Sequence, residues 1–334
     1  MTQMQTQGRA KSAAAGGFGS YAQKYGILIA LVLACVVLAL INENFLSARN
    51  ILNVLRQTSI NGVLAIGMTF VILTRGIDLS VGSVVALTGV VAASFATTST
   101  AGFIPGAPYP ALLALAIGVA VGMLAGSVSG LIVARFRVPA FVATLGMLSA
   151  ARGLTLLYSG GRPIPALTDT FRWIGTGDVL GVPVPIFVLL AVFAGAHFVL
   201  TQTRFGRHVY AVGGNPHAAK VSGLPVTRIR FIVYVISGGL AGLAGMILAA
   251  RTGSALPQAG IAYELDAIAA VVIGGTSLAG GVGRVSGTLI GALLIGVMNN
   301  GLDLMGVESY YQQVIKGFLI VAAVMLDQSK NKQD

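Results

Sequence analysis

Long apolar runs, separated by short polar segments, recur along the whole chain. Most of them approach the ~20 apolar residues that a helix needs to cross a bilayer. The strands of a porin-like β-barrel, the alternative membrane fold, would be shorter and polar at every second position. The pattern therefore predicts an all-α polytopic membrane protein with about ten transmembrane helices. The ten runs cover residues 26–41, 51–74, 79–98, 111–134, 139–157, 181–203, 229–250, 263–280, 284–300 and 312–326.

Glycines interrupt some of these runs and predict broken or re-entrant helices at 74–82 and 274–284. The two breaks share the pattern G-x-x-L-x-x-G, which begins at Gly76 in the first and at Gly275 in the second. Transporters built from repeated halves carry broken helices at corresponding positions, so two short matches suggest an internal repeat. Glycines also recur at every fourth position of two runs, which predicts close helix–helix packing. They are Gly118, Gly122, Gly126 and Gly130 in one run, and Gly283, Gly287 and Gly291 in the other.

The composition agrees with a membrane protein. The chain is 55% hydrophobic and 9% charged, with a mean hydropathy of +0.86, whereas soluble domains carry about 25% charged residues. The formal charge of +11 fits basic cytoplasmic loops, and no basic soluble domain exists that would bind nucleic acid. Cys35 is the single cysteine, which excludes a disulfide within the chain and a thiol-rich metal site.

The distribution of Lys and Arg predicts an orientation with both termini in the cytoplasm. With ten spans, 14 basic residues then fall in cytoplasmic segments and 4 in external loops. Residues 42–47 are not a small-residue cleavage site, so the first run is interpreted as a retained span. The predicted organisation is a mobile cytoplasmic tail over 1–23, a transmembrane domain over 24–328 and a cytoplasmic tail over 329–334.

The longest polar interruption in the second half of the chain, residues 204–230, faces the cytoplasm in this orientation. It holds five basic residues and no carboxylate. Asn215 as the N-cap, Pro216 at the first helical position and Gly223 as the stop predict a short helix inside it. Such a helix between two spans suits the docking of a partner. The alternative, which the spacing alone favours, is an ordinary basic loop.

The sequence contains no catalytic constellation. The P-loop pattern G-x-x-x-x-G-K-[ST] is absent, so the chain does not bind and split ATP through that motif. Its three histidines, His197, His208 and His217, lack the spacing of metal ligands. We therefore predict no catalytic residue, no metal site and no cofactor in this chain.

Charged residues at membrane depth are costly and therefore informative. Asp78 and Arg75 flank the first break and are expected to pair with each other or to cap a helix. Glu264 and Asp266, at the start of a run, are expected to favour its N-terminal dipole. Capping is a better interpretation of these carboxylates than transport. The interiors of the runs instead offer Asn, Ser and Thr. A pathway lined by such neutral hydrogen-bonding groups suits a neutral polyol better than an ion. The charged candidates are Asp78, Arg152, Glu264, Asp266 and Lys316.

Four segments, considered together, carry a family resemblance. They are GIDLSVGS at 76–83, GGNPHAAKVSG at 213–223, YELDAIAAVVIGGTSLAGG at 263–281 and GVESYYQQVIKG at 306–317. They closely resemble the monosaccharide permeases of bacterial ABC importers, and the ribose-type permeases most of all. The resemblance extends from about residue 25 to residue 327 and implies that the transmembrane domain is a permease domain.

The resemblance also implies the partners of the chain. They are a second copy of itself, a cytoplasmic ABC ATPase that binds ATP–Mg, a periplasmic sugar-binding protein and the lipid of the bacterial inner membrane. Hydrolysis of ATP then belongs to the partner, and this chain is not an enzyme. Residues 204–230 become a coupling loop, and six residues are expected to lie in or beside its coupling helix: Arg207, Asn215, Ala218, Ala219, Ser222 and Gly223.

The function that the resemblance implies is import of a monosaccharide, ribose before other sugars, by alternating access. Asn61, Thr69, Asn299 and Asn300 are our predicted pathway residues, with bonding between neighbouring helices as the alternative role of each. Other functions stay open at this point. They are a permease for another sugar or for a small solute such as a branched-chain amino acid, a stand-alone secondary carrier or channel, and, remotely, a lipid enzyme.

Overall fold

The computed structural model describes residues 26–99 and 104–331, which form helices α1–α13 and one short hairpin. The predicted tail over 1–23 lies outside the described residues. The helices are α1 Gly26–Ile41, α2 Ala48–Leu73, α3 Val81–Ala96, α4 Ala111–Arg135, α5 Ala140–Ser159, α6 Asp169–Thr176, α7 Val184–Gln202, α8 Arg204–Gly214, α9 Pro216–Val221, α10 Val226–Thr252, α11 Tyr263–Ile273, α12 Val285–Leu304 and α13 Ser309–Asn331. The hairpin pairs β1, Asp178–Val179, with β2, Val182–Pro183.

Each predicted apolar run contains a helix, so the all-α membrane class is confirmed. Within the described residues, five helices are long and apolar enough to cross a bilayer, namely α4, α5, α7, α10 and α12. The run over 263–280 was predicted as one span, and this prediction is wrong. Its helix α11 has 11 residues and rises only ~17 Å, about half of a ~30 Å hydrocarbon core. Helix α13 extends past residue 328, the predicted end of the transmembrane domain, to Asn331.

The two predicted helix breaks are present, one between α2 and α3 and one between α11 and α12. Both α2 and α11 end in the same turn, in which an amide bonds the carbonyl five residues back. The bonds are Gly76 N to Val71 O, at 3.0 Å, and Thr276 N to Val271 O, at 3.1 Å. The shared turn therefore aligns Gly76 with Thr276, whereas the sequence pattern aligned Gly76 with Gly275. The register of the suggested repeat is wrong by one residue.

The glycine-rich faces of α4 and α12 pack as predicted. A Cβ added at Gly122 would collide with the carbonyl oxygen of Gly238 on α10, and one at Gly126 with that of Tyr234. On α12, a Cβ at Gly287 would meet the carbonyl oxygen of Gly274. The helix axes approach closely only because these side chains are absent. As a result α10 lies at the centre of the bundle, against α4, α2 and α3.

The bundle has two distinct ends, which α7 connects. At one end, which we call the hairpin end, the β1–β2 hairpin leads directly into α7, and Ile164 pairs with Ala255. At the other, the α8 end, α7 is followed by the short helices α8 and α9. The 19 residues of α7 separate the two ends by ~28 Å.

Candidate coupling surface and translocation pathway

Helix α8 is a feature that the sequence interpretation missed, since residues 204–214 were assigned to a loop. Its N-cap is Thr203, whose Oγ1 accepts a hydrogen bond from Gly206 N at 3.1 Å. Val209 and Val212 are fully buried, while Arg207 on the opposite face is exposed. The spacing of Phe205, Val209 and Val212 is helical, and it is the signal that predicts an amphipathic helix here.

The predicted short helix is present as α9, with the predicted caps. Asn215 Oδ1 accepts hydrogen bonds from His217 N at 3.0 Å and from Ala218 N at 2.9 Å. Pro216 stands at the first helical position, where its missing amide hydrogen costs nothing. Gly223 ends the helix with a left-handed φ of 81°, a conformation that is strained for other residues.

Most of the predicted coupling residues share an exposed surface at the α8 end. Ala219 is the exception, because it lies on the buried face of α9 and is only 5% exposed. Val221, which the sequence interpretation did not include, leaves 76% of its side chain exposed at the end of α9. An apolar side chain in this position offers a contact for a protein partner. We call the exposed set the coupling surface: Arg207, Asn215, Ala218, Val221, Ser222 and Gly223.

The C-terminal end of α8 is bound tightly to the first helix break. Arg75 donates from Nε to Gly213 O at 2.6 Å and from a terminal guanidinium nitrogen to Gly214 O at 2.5 Å. Arg75 holds this position with a φ of 65°, which costs a non-glycine residue ~1 kcal/mol. The guanidinium therefore joins the end of α8 to the end of α2.

The second helix break, between α11 and α12, also contacts the end of α2 and α8. Gly281 N donates to Leu73 O at 3.0 Å, and a Cβ added at Gly213 would overlap both residues. Tyr210 on α8 donates from its phenol to Gly283 O at 2.9 Å. Burial raises the pKa of the Tyr210 phenol, although the nearby Arg284 charge lowers it in part. Its proton is therefore retained, and α8 bonds both breaks at what we call the junction.

Helices α2 and α12 are bonded along their length, and two predicted pathway residues make these bonds. The Oγ1 atoms of Thr69 and Thr288 are 2.8 Å apart. Near the hairpin end, Asn50 and Asn300 exchange two amide hydrogen bonds, of 2.9 Å and 2.8 Å. Hydrogen bonds of this kind hold membrane helices together. Within one chain, Thr69 and Asn300 thus have the alternative role that the sequence left open.

The other two predicted pathway residues, Asn61 and Asn299, are also buried. The Asn299 side chain hydrogen-bonds the carboxylate of Asp266. Its Oδ1 atom is buried and has no partner among the described residues. An unpaired buried acceptor costs about 1–3 kcal/mol, so this oxygen would gain from a passing hydroxyl group. The assignment of all four residues to a pathway stays a prediction.

The charged residues at membrane depth have more specific partners than capping predicts. Asp78 does not pair with Arg75; its carboxylate accepts from Ser80 Oγ at 2.6 Å and from Ser237 Oγ at 2.9 Å. Glu264 and Asp266 lie in the first turn of α11, as predicted, and Asp266 in addition forms an ion pair with Lys316 at 3.0 Å. These contacts fasten the first break to α10 and fasten α11 to α13.

A cavity that the sequence did not indicate lies between α3, α10 and the loop 253–262. The loop returns into the bundle, where Arg152 donates from one guanidinium nitrogen to Pro257 O at 2.6 Å and to Ala259 O at 3.0 Å. The cavity has a volume of about 190 Å³ and is lined by apolar residues together with Thr252, Ser254 and Tyr263. A neutral wall with a few hydroxyl groups suits a small uncharged polar solute.

The fold and these features define a multi-pass membrane protein whose helix breaks are bonded to α8, which leads directly into the exposed, capped helix α9. The family described as branched-chain amino acid transport system, permease component, matches residues 50–324. The chain belongs to this family, and it is a permease of the inner membrane.

Individual relatives are similar over nearly their whole length. The chain is 50% identical to the ribose import permease of Haemophilus influenzae, over 90% of this chain and 91% of the relative. It is 50% identical to that of Escherichia coli K12, over 91% and 93%, and 46% identical to that of Bacillus subtilis, over 94% and 95%. No solved structure matches the chain.

Proposed function

We propose that this chain is the permease subunit of an ATP-driven importer that moves a monosaccharide, ribose in the first place, into the cytoplasm. The observation that carries the proposal is the identity of 46–50% to three ribose import permeases, over at least nine tenths of each chain. The cavity between α3 and α10, which is lined by apolar residues and three hydroxyl-bearing side chains and by no charged residue, agrees with an uncharged sugar.

The proposed assembly follows from the two ends of the bundle. The α8 end and both termini face the cytoplasm, where an ABC ATPase binds the coupling surface and carries ATP–Mg. The hairpin end faces the periplasm and receives a sugar-binding protein. A second copy of the chain completes the transporter. The basic residues in and near α8 and α9 support this orientation, because positive charge is retained on the cytoplasmic side.

The proposed mechanism is alternating access driven through the junction. Closure of the ATPase displaces α9, and α8 moves with it. Arg75 passes the displacement to the first break, and the bonds of Gly281 and Tyr210 pass it to the second. Because α2 and α12 are bonded at Thr69–Thr288 and Asn50–Asn300, they move as one unit.

The proposal is tested by uptake of radiolabelled ribose into proteoliposomes that contain the chain, its ATPase and its binding protein. We expect uptake to require ATP on the side of the membrane that carries the ATPase. An excess of unlabelled ribose should abolish the uptake of label. Arabinose, allose, xylose and leucine serve as competitors. Uptake that proceeds without the ATPase would refute the ATP-driven importer and favour a stand-alone carrier.

A branched-chain amino acid is the second candidate, because the family description names this substrate. A zwitterion needs a charged partner for its ammonium group and another for its carboxylate. The cavity between α3 and α10 has no charged residue in its lining, which favours the sugar. Inhibition of ribose uptake by leucine but not by other sugars would reverse this preference.

A further inference from the structure

A second cavity, at the α8 end, has an unusual charge. It measures about 480 Å³ and lies between the first break, α4, α5, α9 and α10. Its lining includes Arg75, Arg137, Lys220 and Arg230, together with His217, and it includes no carboxylate. We call it the basic cavity. Cations that share a cavity without a counter-charge repel one another, so a bound anion would stabilise them.

Among the described residues no carboxylate forms an ion pair with these side chains, and one of their donors is unused. The Nε atom of Arg230 is buried and donates no hydrogen bond to the described residues, and the charge of Arg75 acts on the same guanidinium. Arg137 stands in the left-handed region with a φ of 58°, where glycine would be less strained. The basic cavity therefore has an unused donor and two arginines held in a strained backbone.

An apolar groove continues from the basic cavity along the membrane-facing surface. A mixed segment shares Lys220 and Ala134 with the basic cavity and adds Leu131 and Phe231. The next segment shares Leu131 and Phe231, and its lining is apolar apart from one serine. On α4, Leu124 and Val128 are 66% and 48% exposed along this groove, so they face the hydrocarbon of the bilayer.

The length of the groove matches one leaflet. Its lining on α4 extends from Ala134 at the basic cavity to Val121, a rise of ~20 Å along the helix. Half of a bilayer's hydrocarbon core is ~15 Å thick. A basic cavity that opens into an apolar groove of this length is complementary in shape and charge to a phospholipid with an anionic head.

We propose that the basic cavity and the groove form a binding site for one anionic glycerophospholipid. The head phosphate binds among Arg75, Arg137, Lys220 and Arg230, and one acyl chain lies along α4 between Leu131 and Leu124. Because Arg75 also bonds the end of α8, the bound lipid contacts the junction through which α8 acts on the first break. Anionic lipid thereby stabilises the junction.

The test is native mass spectrometry of the delipidated full-length chain, titrated with palmitoyl-oleoyl phosphatidylglycerol and with the zwitterionic phosphatidylcholine of the same chains. We expect one phosphatidylglycerol to bind preferentially. In the double variant Arg137→Gln, Arg230→Gln the affinity should fall about 30-fold, equal to about 2 kcal/mol, since each basic residue near a membrane surface favours anionic lipid by about 1 kcal/mol. The matched control Arg162→Gln, exposed at the hairpin end, should bind as the wild type does.

Two further arms keep the test decisive. If the double variant does not fold, Lys220→Gln alone should weaken phosphatidylglycerol about fivefold. Val128→Trp, which fills the groove, should weaken the lipid but not inorganic phosphate. Equal binding of both lipids would overturn the proposal. So would inorganic phosphate that binds as tightly as the lipid, which would indicate a soluble anion. A Val128→Trp variant that dissociates a dimer but keeps its lipid would assign the groove to a second copy, and this too would overturn the proposal.

Discussion

Arg75 offers the sharpest test of how α8 acts on the transmembrane helices. We consider Arg75→Met, which keeps the aliphatic stem and removes both donors to Gly213 O and Gly214 O. The backbone strain at this position is the same before and after the change, because neither side chain is glycine. The substitution therefore removes the two hydrogen bonds between the first break and α8, together with one of the charges of the basic cavity.

The size of the effect follows from these two bonds. Hydrogen bonds to a charged group contribute about 1.5–3 kcal/mol when buried, and Arg75 is exposed, so we assign about 1 kcal/mol to each. Losing both bonds costs about 2 kcal/mol. This shifts the equilibrium about 30-fold towards a state in which α8 moves independently of the first break. Some ATP cycles will then move α8 without moving the first break.

The assay measures ribose uptake and ATP hydrolysis on the same proteoliposomes. We expect Arg75→Met to hydrolyse ATP at a normal or higher rate and to move up to about 30-fold less ribose per ATP. Arg135→Met is the matched control, because Arg135 is exposed at the same end and makes no hydrogen bond to the described residues. An unchanged ratio of ribose to ATP in Arg75→Met would refute the role of the junction.

Three further predictions concern packing, the buried ion pair and docking. Gly126→Ala should destabilise the chain by about 1–3 kcal/mol because its methyl group meets the backbone of α10, whereas Gly146→Ala, with open space around it, should be neutral in thermal unfolding. Lys316→Met should cost roughly 3 kcal/mol by leaving a buried carboxylate unpaired, and the added change Asp266→Asn should restore most of it. Ala218→Trp should abolish co-purification of the ATPase and leave the melting temperature unchanged.

Each of these predictions has an outcome that contradicts it. Equal melting temperatures for the two glycine variants would show that α4 and α10 are not in close contact. A double variant at residues 316 and 266 that is as unstable as the single one would argue against the ion pair. For docking, Thr170→Trp on exposed α6 is the control, and loss of the ATPase in both tryptophan variants would indicate a general defect.

The sequence predicted those parts of the fold that depend on local chemistry. Apolar length alone located the helices of the ten apolar runs, since a hydrocarbon environment leaves few other conformations for such runs. The caps of α9 were predictable because Asn215, Pro216 and Gly223 each act on their own backbone. The break after α11 was predictable because Gly274 and Gly275 interrupt an apolar run, whereas composition does not show that Gly275 takes a φ of 84°.

The parts of the site that were missed depend on contacts between distant segments. Lys316 and Asp266 are 50 positions apart, and Arg75 reaches carbonyl groups 138 and 139 positions away. No local pattern encodes such pairs. The return of the loop 253–262 into the bundle was likewise not predicted; its carbonyls bind Arg152 and its backbone packs against Gly82. An arginine within a span was the one available signal that polar backbone lies beside it.

The central claim is that this permease is driven by ATP on a partner and moves ribose. The most direct measurement is ATPase activity in nanodiscs that contain the chain, its ABC ATPase and the sugar-binding protein, with and without ribose. We predict that ribose stimulates hydrolysis only when all three proteins are present, and that Ala218→Trp removes the stimulation. A rate that ribose does not change, while the complex still assembles and the same nanodiscs respond to another solute, would contradict the assignment of ribose. A chain that transports ribose without binding the ATPase would contradict the coupled mechanism itself.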